Sequence, residues 1–314
     1  MKTVWVVGAG GLLGRELCRQ CVGQGDRLFV PAEPLAWSDR ERLLAQMAGN
    51  VHAFAQRVAE TELRAWEVYW AAGVGTMSSP AEAMSLETEA LGVLLDTLAA
   101  DARLADGPGA IGFASSAGAI YAGATDEVIS EDTPVAPTTP YAHAKLRQED
   151  LVRAFAASQP GMHALIARFS TLYGAGQAAG KQQGLLTHIA RSVVRNQPIQ
   201  IYVPFDTIRD YLCAADAATQ MVGVVRDAGL APQLTKIVAA EHPTTIAEIV
   251  AIFKRLARRQ PRIVTSASQR GGLYGRRIQF RSTIPTSDHE KPTTSLPVGI
   301  AQILEAERAR FARH

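Results

Sequence analysis

The chain has 314 residues, of which 47% are hydrophobic and 20% charged, a composition that excludes a disordered chain and allows a large buried core. No apolar run approaches the roughly 20 residues of a membrane helix, and with 6% aromatic residues and no recognisable motif we expect no nucleic-acid binding. The net charge of +2 is unevenly spread, since residues 236–314 carry 14 Lys and Arg against 6 Asp and Glu, which favours a phosphate-bearing ligand.

The first half of the chain alternates short apolar strands with helices. Strands are predicted at residues 3–7, 28–30, 66–72, 110–114 and 163–168. Helices are predicted at residues 12–24, 40–60, 81–100 and 140–158. The last helix has Thr139 as a candidate N-cap and Pro140 in its first turn. This alternation predicts an α/β fold in which a doubly wound parallel sheet has helices on both faces.

Glycines follow the first predicted strand in a G-x-x-G-x-x-G pattern at Gly8, Gly11 and Gly14. In a dinucleotide-binding unit the first glycine permits a tight turn, the second lets the backbone approach a pyrophosphate and the third lets the helix pack on the strand. The helix that begins at Leu12 and Leu13 then offers N–H groups and a positive dipole to the phosphates. The pattern therefore predicts a Rossmann-type sheet that binds a dinucleotide.

The residues that select between NAD and NADP give a mixed picture. An NAD site commonly has an acidic residue at the end of the second strand, where it binds the ribose 2′-hydroxyl. Here Ala32 stands at that position and Glu33 follows one residue later. Arg15, directly after the last glycine, is a candidate contact for a 2′-phosphate. We expect NAD or NADP, with NADP slightly favoured.

Tyr141 and Lys145 lie four residues apart at the start of the helix predicted over 140–158, a spacing that places both on one helix face. A free phenol has a pKa of about 10 and is a poor base at neutral pH, but a neighbouring ammonium favours the phenolate. We predict that Tyr141 is the catalytic acid/base during hydride transfer and that Lys145 supports it and holds the cofactor ribose. His143 lies between them but points elsewhere.

After residue 173 the regular alternation ends. Helices at 184–195 and 244–259 are separated by segments that contain Pro and Gly. We predict a dinucleotide-binding domain over 1–173, with later strands contributed by about 200–240, and a smaller interleaved substrate-binding lobe over 174–314.

Together these features resemble the extended short-chain dehydrogenases/reductases, in particular the NAD-dependent epimerase/dehydratase family that modifies nucleotide sugars. The resemblance runs nearly end to end. Besides the glycine turn and the Tyr–Lys pair, it is carried by residues 71–73, 113–121, 130–134, 168–174, 209–211, 216 and 294–300.

The resemblance implies that Ala71, Ala72 and Gly73 line the cofactor. It also implies that a serine hydrogen-bonds the reacting oxygen, and Ser116 is our choice, with Ser115 as the alternative. The competing interpretation for either serine is a hydroxyl that caps the end of a strand.

For the substrate, the resemblance implies that Thr171 lies in the binding loop and that Arg209 grips a diphosphate. Arg276 or Arg277 would assist, because a guanidinium binds phosphate oxygens in a bidentate manner. The alternative for the last two arginines is a solvated surface position.

Several residues depart from the family pattern. Ala117 stands where a Ser or Thr is common, Thr171 and Glu89 each replace an Asn, and Ala144 replaces a small hydroxyl residue. These changes predict a divergent member with an altered substrate or reduced activity.

Three reactions occur in this family: epimerisation, dehydration and carbonyl reduction. Family dehydratases carry an Asp-Glu pair after the catalytic Thr, whereas this chain has Gly118 and Ala119, so dehydration is disfavoured. We predict an NAD(P)-dependent epimerase of a nucleoside-diphosphate sugar. The alternatives are an NADPH-dependent nucleotide-sugar ketoreductase, a non-catalytic NADP-sensing regulatory protein and an assembly protein on the same fold.

The remaining predictions concern partners, location and metals. The family pairs helices such as 81–100 and 140–158 in a homodimer, and a stripe of leucines on the first helix is a candidate for this contact. The stripe consists of Leu91, Leu94, Leu95 and Leu98. We expect a cytoplasmic protein without a metal, because no His, Cys, Asp or Glu residues have ligand spacing. Cys18 and Cys21 lie inside a predicted helix and are expected to be buried small hydrophobes, not a redox pair.

Overall fold

The computed structural model describes residues 1–73, 75–177, 184–227, 231–257, 262–265, 277–285, 287 and 291–313. The elements of its first half are β1 (Thr3–Val7), α1 (Leu12–Gly23), β2 (Arg27–Phe29), α2 (Arg40–Ala59), β3 (Trp66–Trp70), α3 (Ala81–Ala100), a 3-10 turn (Ala102–Leu104), β4 (Gly109–Ser116), α4 (Ala117–Ile120) and α5 (Pro140–Ser158). The strands and helices predicted in this half are confirmed, with boundaries that agree to within two residues.

The second half contains shorter strands between its helices. Its elements are β5 (His163–Phe169), β6 (Thr171–Tyr173), α6 (Leu185–Val194), β7 (Ile199–Ile201), β8 (Ile208–Cys213), α7 (Ala214–Arg226), β9 (Gln233–Val238), β10 (Pro243–Thr245), α8 (Ile246–Ala257), β11 (Ile263–Thr265) and α9 (Leu296–Phe311).

A six-stranded parallel sheet with the order β2-β1-β3-β4-β5-β9 forms the centre of the molecule. Every residue of β1 and β3 is buried, as expected for parallel strands covered on both faces. Helices α2, α3 and α5 cover one face and α1 and α7 cover the other. The predicted fold class, a doubly wound Rossmann-type sheet, is confirmed.

The strand order reverses between β1 and β3. From β1 the chain moves outward to β2, and it returns through α2 to β3 on the other side of β1. In open parallel sheets, ligands bind at such a switch point, outside the carboxyl ends of the strands. This end of the sheet carries the glycine turn after β1 and residues 71–73 after β3.

Two small sheets accompany the central one. Strand β8 pairs with β6 in parallel and with β10 in antiparallel orientation, and β7 pairs with β11 in parallel. Helices α6, α8 and α9 pack around a separate apolar core.

Helix α8 begins at Ile246, later than predicted, because residues 243–245 form β10. Thr245 and Glu248 then form a reciprocal capping box at its start.

The leucine stripe of α3 does not face a partner. Its four leucines, Leu91, Leu94, Leu95 and Leu98, have exposures of at most 3% and belong to the core between the sheet and helices α2, α3 and α5. The prediction that this stripe forms a homodimer contact is therefore wrong, since one protomer already buries it.

Candidate active site

The glycine turn after β1 lies against the segment that follows β3. Gly8 has a φ of +91°, and a Cβ at this position would lie 2.6 Å from the backbone nitrogen of Ala72. The N–H of Gly11 donates to the Gly8 carbonyl at 2.9 Å and closes the turn. A Cβ at Gly14 would collide with the same carbonyl. Glycine is therefore required at the first and third positions by close backbone approach.

The N-terminus of α1 suits a phosphate group. Gly11 is its N-cap and has no side chain to bond the first-turn N–H groups, which include those of Leu12 and Leu13. Uncapped N–H groups and the helix dipole together favour an anion. Arg15, one residue after Gly14, donates from Nη1 to the Gly10 carbonyl at 3.2 Å and from Nη2 to the Gly176 carbonyl. In this structure Arg15 thus bridges the turn to the 174–177 loop.

The end of β2 carries paired charges. Glu33 is exposed and accepts a bond of 2.9 Å from Nη2 of Arg42, on α2. The acid that follows the expected ribose position by one residue therefore has an arginine beside it. A guanidinium at this end of the sheet suits a 2′-phosphate, whereas the carboxylate suits a 2′-hydroxyl.

Helix α5 begins as its sequence predicts. The Thr139 hydroxyl accepts a bond of 3.2 Å from the Ala142 N–H, and Pro140 occupies the first turn. Tyr141 is half-buried and Lys145 is buried. The ammonium of Lys145 lies 5.8 Å from the centroid of the Tyr141 ring, so the two side chains share a helix face.

Lys145 sits in a buried polar cage beneath this face. Its Nζ donates to Oε1 of Glu87 on α3 at 2.9 Å and to Oε1 of Gln148 at 3.0 Å. The ring of Phe113 lies 5.2 Å from the ammonium. Burial lowers the pKa of Lys145, but the charge and hydrogen bond of Glu87, together with the charges of Tyr141 and Glu149, outweigh this effect, and the pKa is raised above its usual value.

A second buried ion pair joins α5 to the sheet. Glu149 accepts from Nε and Nη2 of Arg168, on β5, at 3.0 and 2.7 Å, in a bidentate arrangement. Arg168 also donates to the Tyr121 hydroxyl at 2.5 Å. Burial raises the pKa of Glu149, but the hydrogen bonds and charge of Arg168 outweigh it, so the pKa is lowered.

The two candidate serines at the end of β4 have different surroundings. Ser115 is buried and its hydroxyl donates to Oε1 of Glu149 at 2.7 Å. Successive side chains of a strand point to opposite faces. Ser116 is half-buried and is the N-cap residue of α4, but its hydroxyl makes no capping bond. The alternative role as a strand-end cap is therefore not what the Ser116 hydroxyl does here.

The candidate substrate residues lie on the small sheet. Thr171, at the start of β6, is exposed and pairs in register with Tyr211 of β8. Arg209 is half-buried, and its Nη1 donates to the Ile208 carbonyl at 2.7 Å. Arg277 is exposed and its backbone bridges to Ile208, which brings two arginines to one strand end.

Arg276, the other candidate for the diphosphate, lies outside the described residues. The neighbouring Asp210 is buried and accepts the N–H groups of Ala240 and His242 at 2.9 and 3.0 Å, while burial raises its pKa. Asp210 thus fixes the loop after β9 to the strand that carries Arg209.

Sequence reasoning missed Glu87, Gln148 and Glu149. The sequence does indicate that Glu87 is unusual. It lies three residues after Met84 and four before Leu91, so it falls on the apolar stripe of α3. A charged residue at a core position indicates a buried partner of opposite charge. Sequence alone does not name that partner, since Lys145 lies on another helix.

Three further observations bear on predicted properties. Within the described ranges, no group of three or more His, Cys, Asp and Glu residues is arranged to hold a metal ion. Nor does any described helix have the length and hydropathy to cross a membrane. Burial raises the pKa of the Cys21 thiol to about 12, which agrees with its interpretation as a small hydrophobe.

The whole arrangement has counterparts among known proteins. A model of the family described as "NAD dependent epimerase/dehydratase family" matches residues 4–237. The chain belongs to the NAD dependent epimerase/dehydratase family. This confirms the family that the motifs resemble.

Curated relatives of this family member match over shorter stretches. The dTDP-4-dehydro-6-deoxyglucose reductase of Escherichia coli is 32% identical over 104 residues, which are 33% of this chain and 32% of the reductase. The UDP-glucose 4-epimerase of Azospirillum brasilense is 31% identical over 117 residues, 33% of each chain. The matched stretches thus span about a third of the length of each of these relatives.

Solved structures match this family member along its length. The Thermus thermophilus UDP-glucose 4-epimerase in complex with NAD has a TM-score of 0.77 at 19% identity and covers 98% of this chain and 99% of its own. The RMD protein of Pseudomonas aeruginosa, complexed with NADPH, has a TM-score of 0.76 at 20% identity and covers 99% of this chain and all of its own. At these identities the likeness shows the fold.

Proposed function

We propose that this protein is an NAD(P)-dependent epimerase of a nucleoside-diphosphate sugar that works by transient hydride transfer. The observation that carries the proposal is the pairing of Tyr141 with the buried ammonium of Lys145 at the start of α5. Both residues accompany a glycine turn at the switch point of the sheet. Neither a regulatory nor an assembly role needs this pair.

A nicotinamide dinucleotide fits the turn. The lack of a side chain at Gly11 would let its pyrophosphate approach the backbone of the turn that Gly8 and Gly14 close, and the first-turn N–H groups of Leu12 and Leu13 would bind the phosphates. We propose that Ala71, Ala72 and Gly73, which follow β3 beside the glycine turn, also line the cofactor. A nicotinamide ring held there would supply the site for a hydride that leaves a sugar carbon and returns to it. The preference for NADP remains a prediction, which Arg42, on α2 beside Glu33, supports and Glu33 opposes.

In the proposed reaction Tyr141 moves a proton at its phenol oxygen. It takes the proton from a sugar hydroxyl as the carbon is oxidised and gives it back as the carbon is reduced. The Lys145 ammonium lies 5.8 Å from the centroid of the Tyr141 ring and attracts the negative charge that the reacting oxygen atoms carry during proton transfer. The Ser116 hydroxyl donates to the reacting oxygen, for which it is suited because it makes no capping bond at the end of β4.

The substrate class follows from the arginines of the small sheet. We propose that Arg209, with Arg277 or Arg276, binds the diphosphate and that Thr171 contacts the sugar. The basic balance of residues 236–314 supports an anionic ligand.

A ketoreductase is the second candidate. The match to the Escherichia coli dTDP-4-dehydro-6-deoxyglucose reductase favours it, as does the likeness to a structure complexed with NADPH. Dehydration is disfavoured because Gly118 and the buried Ala119 stand where the family's dehydratases carry an Asp-Glu pair.

Two experiments test the proposal. Melting temperatures with NAD, NADP and UDP-glucose report binding, because a ligand of the folded state raises the melting temperature. Nuclear magnetic resonance of the incubated nucleotide sugar then identifies an epimer, whereas NADPH oxidation with a keto-sugar nucleotide identifies the reductase.

The Tyr141→Phe variant is expected to bind NAD or NADP as the wild type does and to lose turnover by about 10²-fold or more. A variant that retains full turnover excludes Tyr141 as the acid/base. Wild-type protein that binds no dinucleotide excludes both candidate functions. A homodimer and a cytoplasmic location remain predictions at this stage.

A further inference from the structure

The Lys145 ammonium uses two of its three N–H donors inside the protein. Oε1 of Glu87 accepts one at 2.9 Å and Oε1 of Gln148 accepts another at 3.0 Å. The side chains of Lys145 and Glu87 are only 5% and 1% exposed. Among the residues that the structure describes, no acceptor takes the third N–H, so this donor is available to a ligand.

Glu87 also lies close to Gly73, in the segment that we propose lines the cofactor. A Cβ at Gly73 would lie 3.0 Å from its Oε1 and 3.2 Å from its Oε2. The Oε2 atom is buried and has no hydrogen-bond partner in the described part of the chain. The Glu87 carboxylate therefore lies between Gly73 and the Lys145 ammonium. Leaving a charged oxygen unbonded is costly, which indicates that the charge itself serves a purpose.

The charged groups around Lys145 indicate the role of the Glu87 carboxylate. Tyr141 lies on the same helix, Glu87 on α3, and Glu149 one turn further along α5. Glu149 is already bound to Arg168 and Arg153, so its charge is balanced. Gln148 is neutral and is held by a bond from its Nε2 to the Thr88 hydroxyl at 3.1 Å. Glu87 is thus the counter-ion on which the buried ammonium depends.

We propose that Glu87 is a positioning residue that keeps Lys145 charged and holds its ammonium so that the third N–H is left for the cofactor ribose. The inference rests on the proposed function, since it assigns Lys145 to a dinucleotide. It adds a residue on α3 that connects the cleft at Gly73 with the Tyr–Lys pair.

The test is the dissociation constant for NAD between pH 6.5 and pH 9, followed by quenching of tryptophan fluorescence. Glu87→Gln keeps the shape and the acceptor oxygen but removes the charge. A buried ammonium without a counter-ion loses its proton more readily. The ratio of the variant's constant to the wild-type constant is therefore expected to rise about tenfold across this pH range, because a neutral amine is a weaker donor. Titrations common to both proteins cancel in the ratio.

Two variants serve as controls. Glu89→Gln removes an exposed carboxylate of the same helix, which pairs with Arg40 at 2.7 Å, and its ratio should stay constant with pH. Glu87→Asp keeps the charge, and its ratio should also stay constant even where binding is weaker overall. If Glu87 has a purely structural role, the ratio of the Glu87→Gln dissociation constant to the wild-type constant will not change with pH. This outcome overturns the proposal.

Failure of the proposed function has a different signature, because wild-type protein would then bind no dinucleotide at any pH. Glu87→Gln could also fail to fold, since it leaves a buried ammonium unpaired. In that case the double variant Glu87→Gln with Lys145→Met buries neither charge and is expected to fold. If the double variant fails to fold as well, Glu87 serves the fold through other contacts and the proposal is wrong.

Discussion

At the scale of single residues, the two serines at the end of β4 are expected to have different roles, Ser116 in catalysis and Ser115 in stability. The Ser116 hydroxyl makes no capping bond, whereas the Ser115 hydroxyl is bound to the buried Glu149 carboxylate. Ser116→Ala is expected to lower kcat by about 10²-fold, the usual loss for one donor to a reacting oxygen, with the melting temperature unchanged. Product formation followed by nuclear magnetic resonance measures the first quantity and calorimetry the second.

Ser115→Ala is the matched variant. It removes a hydrogen bond to a charged group, so it should reduce the free energy of unfolding by about 1.5–3 kcal/mol and leave kcat nearly unchanged. The reverse result, in which Ser115→Ala alone abolishes turnover, would assign the catalytic hydroxyl to Ser115. Sequence alone left the two serines open because neighbouring strand positions differ only in the face to which they point.

At the scale of elements, the Glu149–Arg168 pair fastens α5 to β5. Both side chains are buried, and removing one member of a buried ion pair leaves the charge of the other without a partner. Glu149→Gln is expected to cost about 3–5 kcal/mol of unfolding free energy, measured by chemical denaturation. Asp150→Asn is the control, because Asp150 is exposed and its bond to Arg153 is worth at most about 1 kcal/mol.

The same pair gives the protein an acid-sensitive contact. The folded-state pKa of Glu149 lies below its usual value, because Arg168 outweighs the effect of burial. Its stabilisation is therefore complete above the usual glutamate range and is lost as the pH falls through the folded-state pKa. Wild-type stability should fall on acidification from pH 6 to pH 3 more steeply than that of Glu149→Gln. Parallel pH profiles for the two proteins would contradict this assignment.

The elements that sequence predicted best are those with strong local signals. Helix α5 has a Thr–Pro start, and β1 and β3 are short runs of mostly β-branched and aromatic residues, so their boundaries follow from propensity and capping. Strands β6, β7, β10 and β11 have three residues each, too few for any periodicity to emerge. Their pairing with distant segments, such as β7 with β11, depends on tertiary contacts that no local pattern encodes.

At the scale of the whole molecule, the helix pair α3 and α5 shows what a one-dimensional pattern leaves out. The leucine stripe of α3 was visible in the sequence, but an apolar helix face packs equally well against its own sheet or against a second protomer. The structure resolves this choice in favour of the protomer core. We propose that a homodimer, if it uses these helices, does so through their outer faces.

The outer face of α3 is acidic, and that of α5 carries charges of both signs. The exposed face of α3 includes Glu82 and Asp96, and that of α5 includes Arg147, Asp150 and the exposed Leu151. In a two-fold dimer, α3 of each protomer can meet α5 of its partner, so each contact occurs twice. Light scattering of the wild type should then give twice the mass of one chain.

Leu151→Asp is expected to give the mass of a single chain. The new aspartate adds an acidic charge to α5, next to Asp150, and this charge would face the acidic residues of α3 of the partner. Val128→Asp is the control: Val128 is similarly exposed but lies outside both helices, so this variant should remain dimeric. A dimer that survives Leu151→Asp and dissociates on Val128→Asp would move the interface to another surface, and a monomeric wild type would end the dimer proposal. In either case the buried leucines of α3 remain part of the protomer core, which is why the dimer is tested on the outer face of α5.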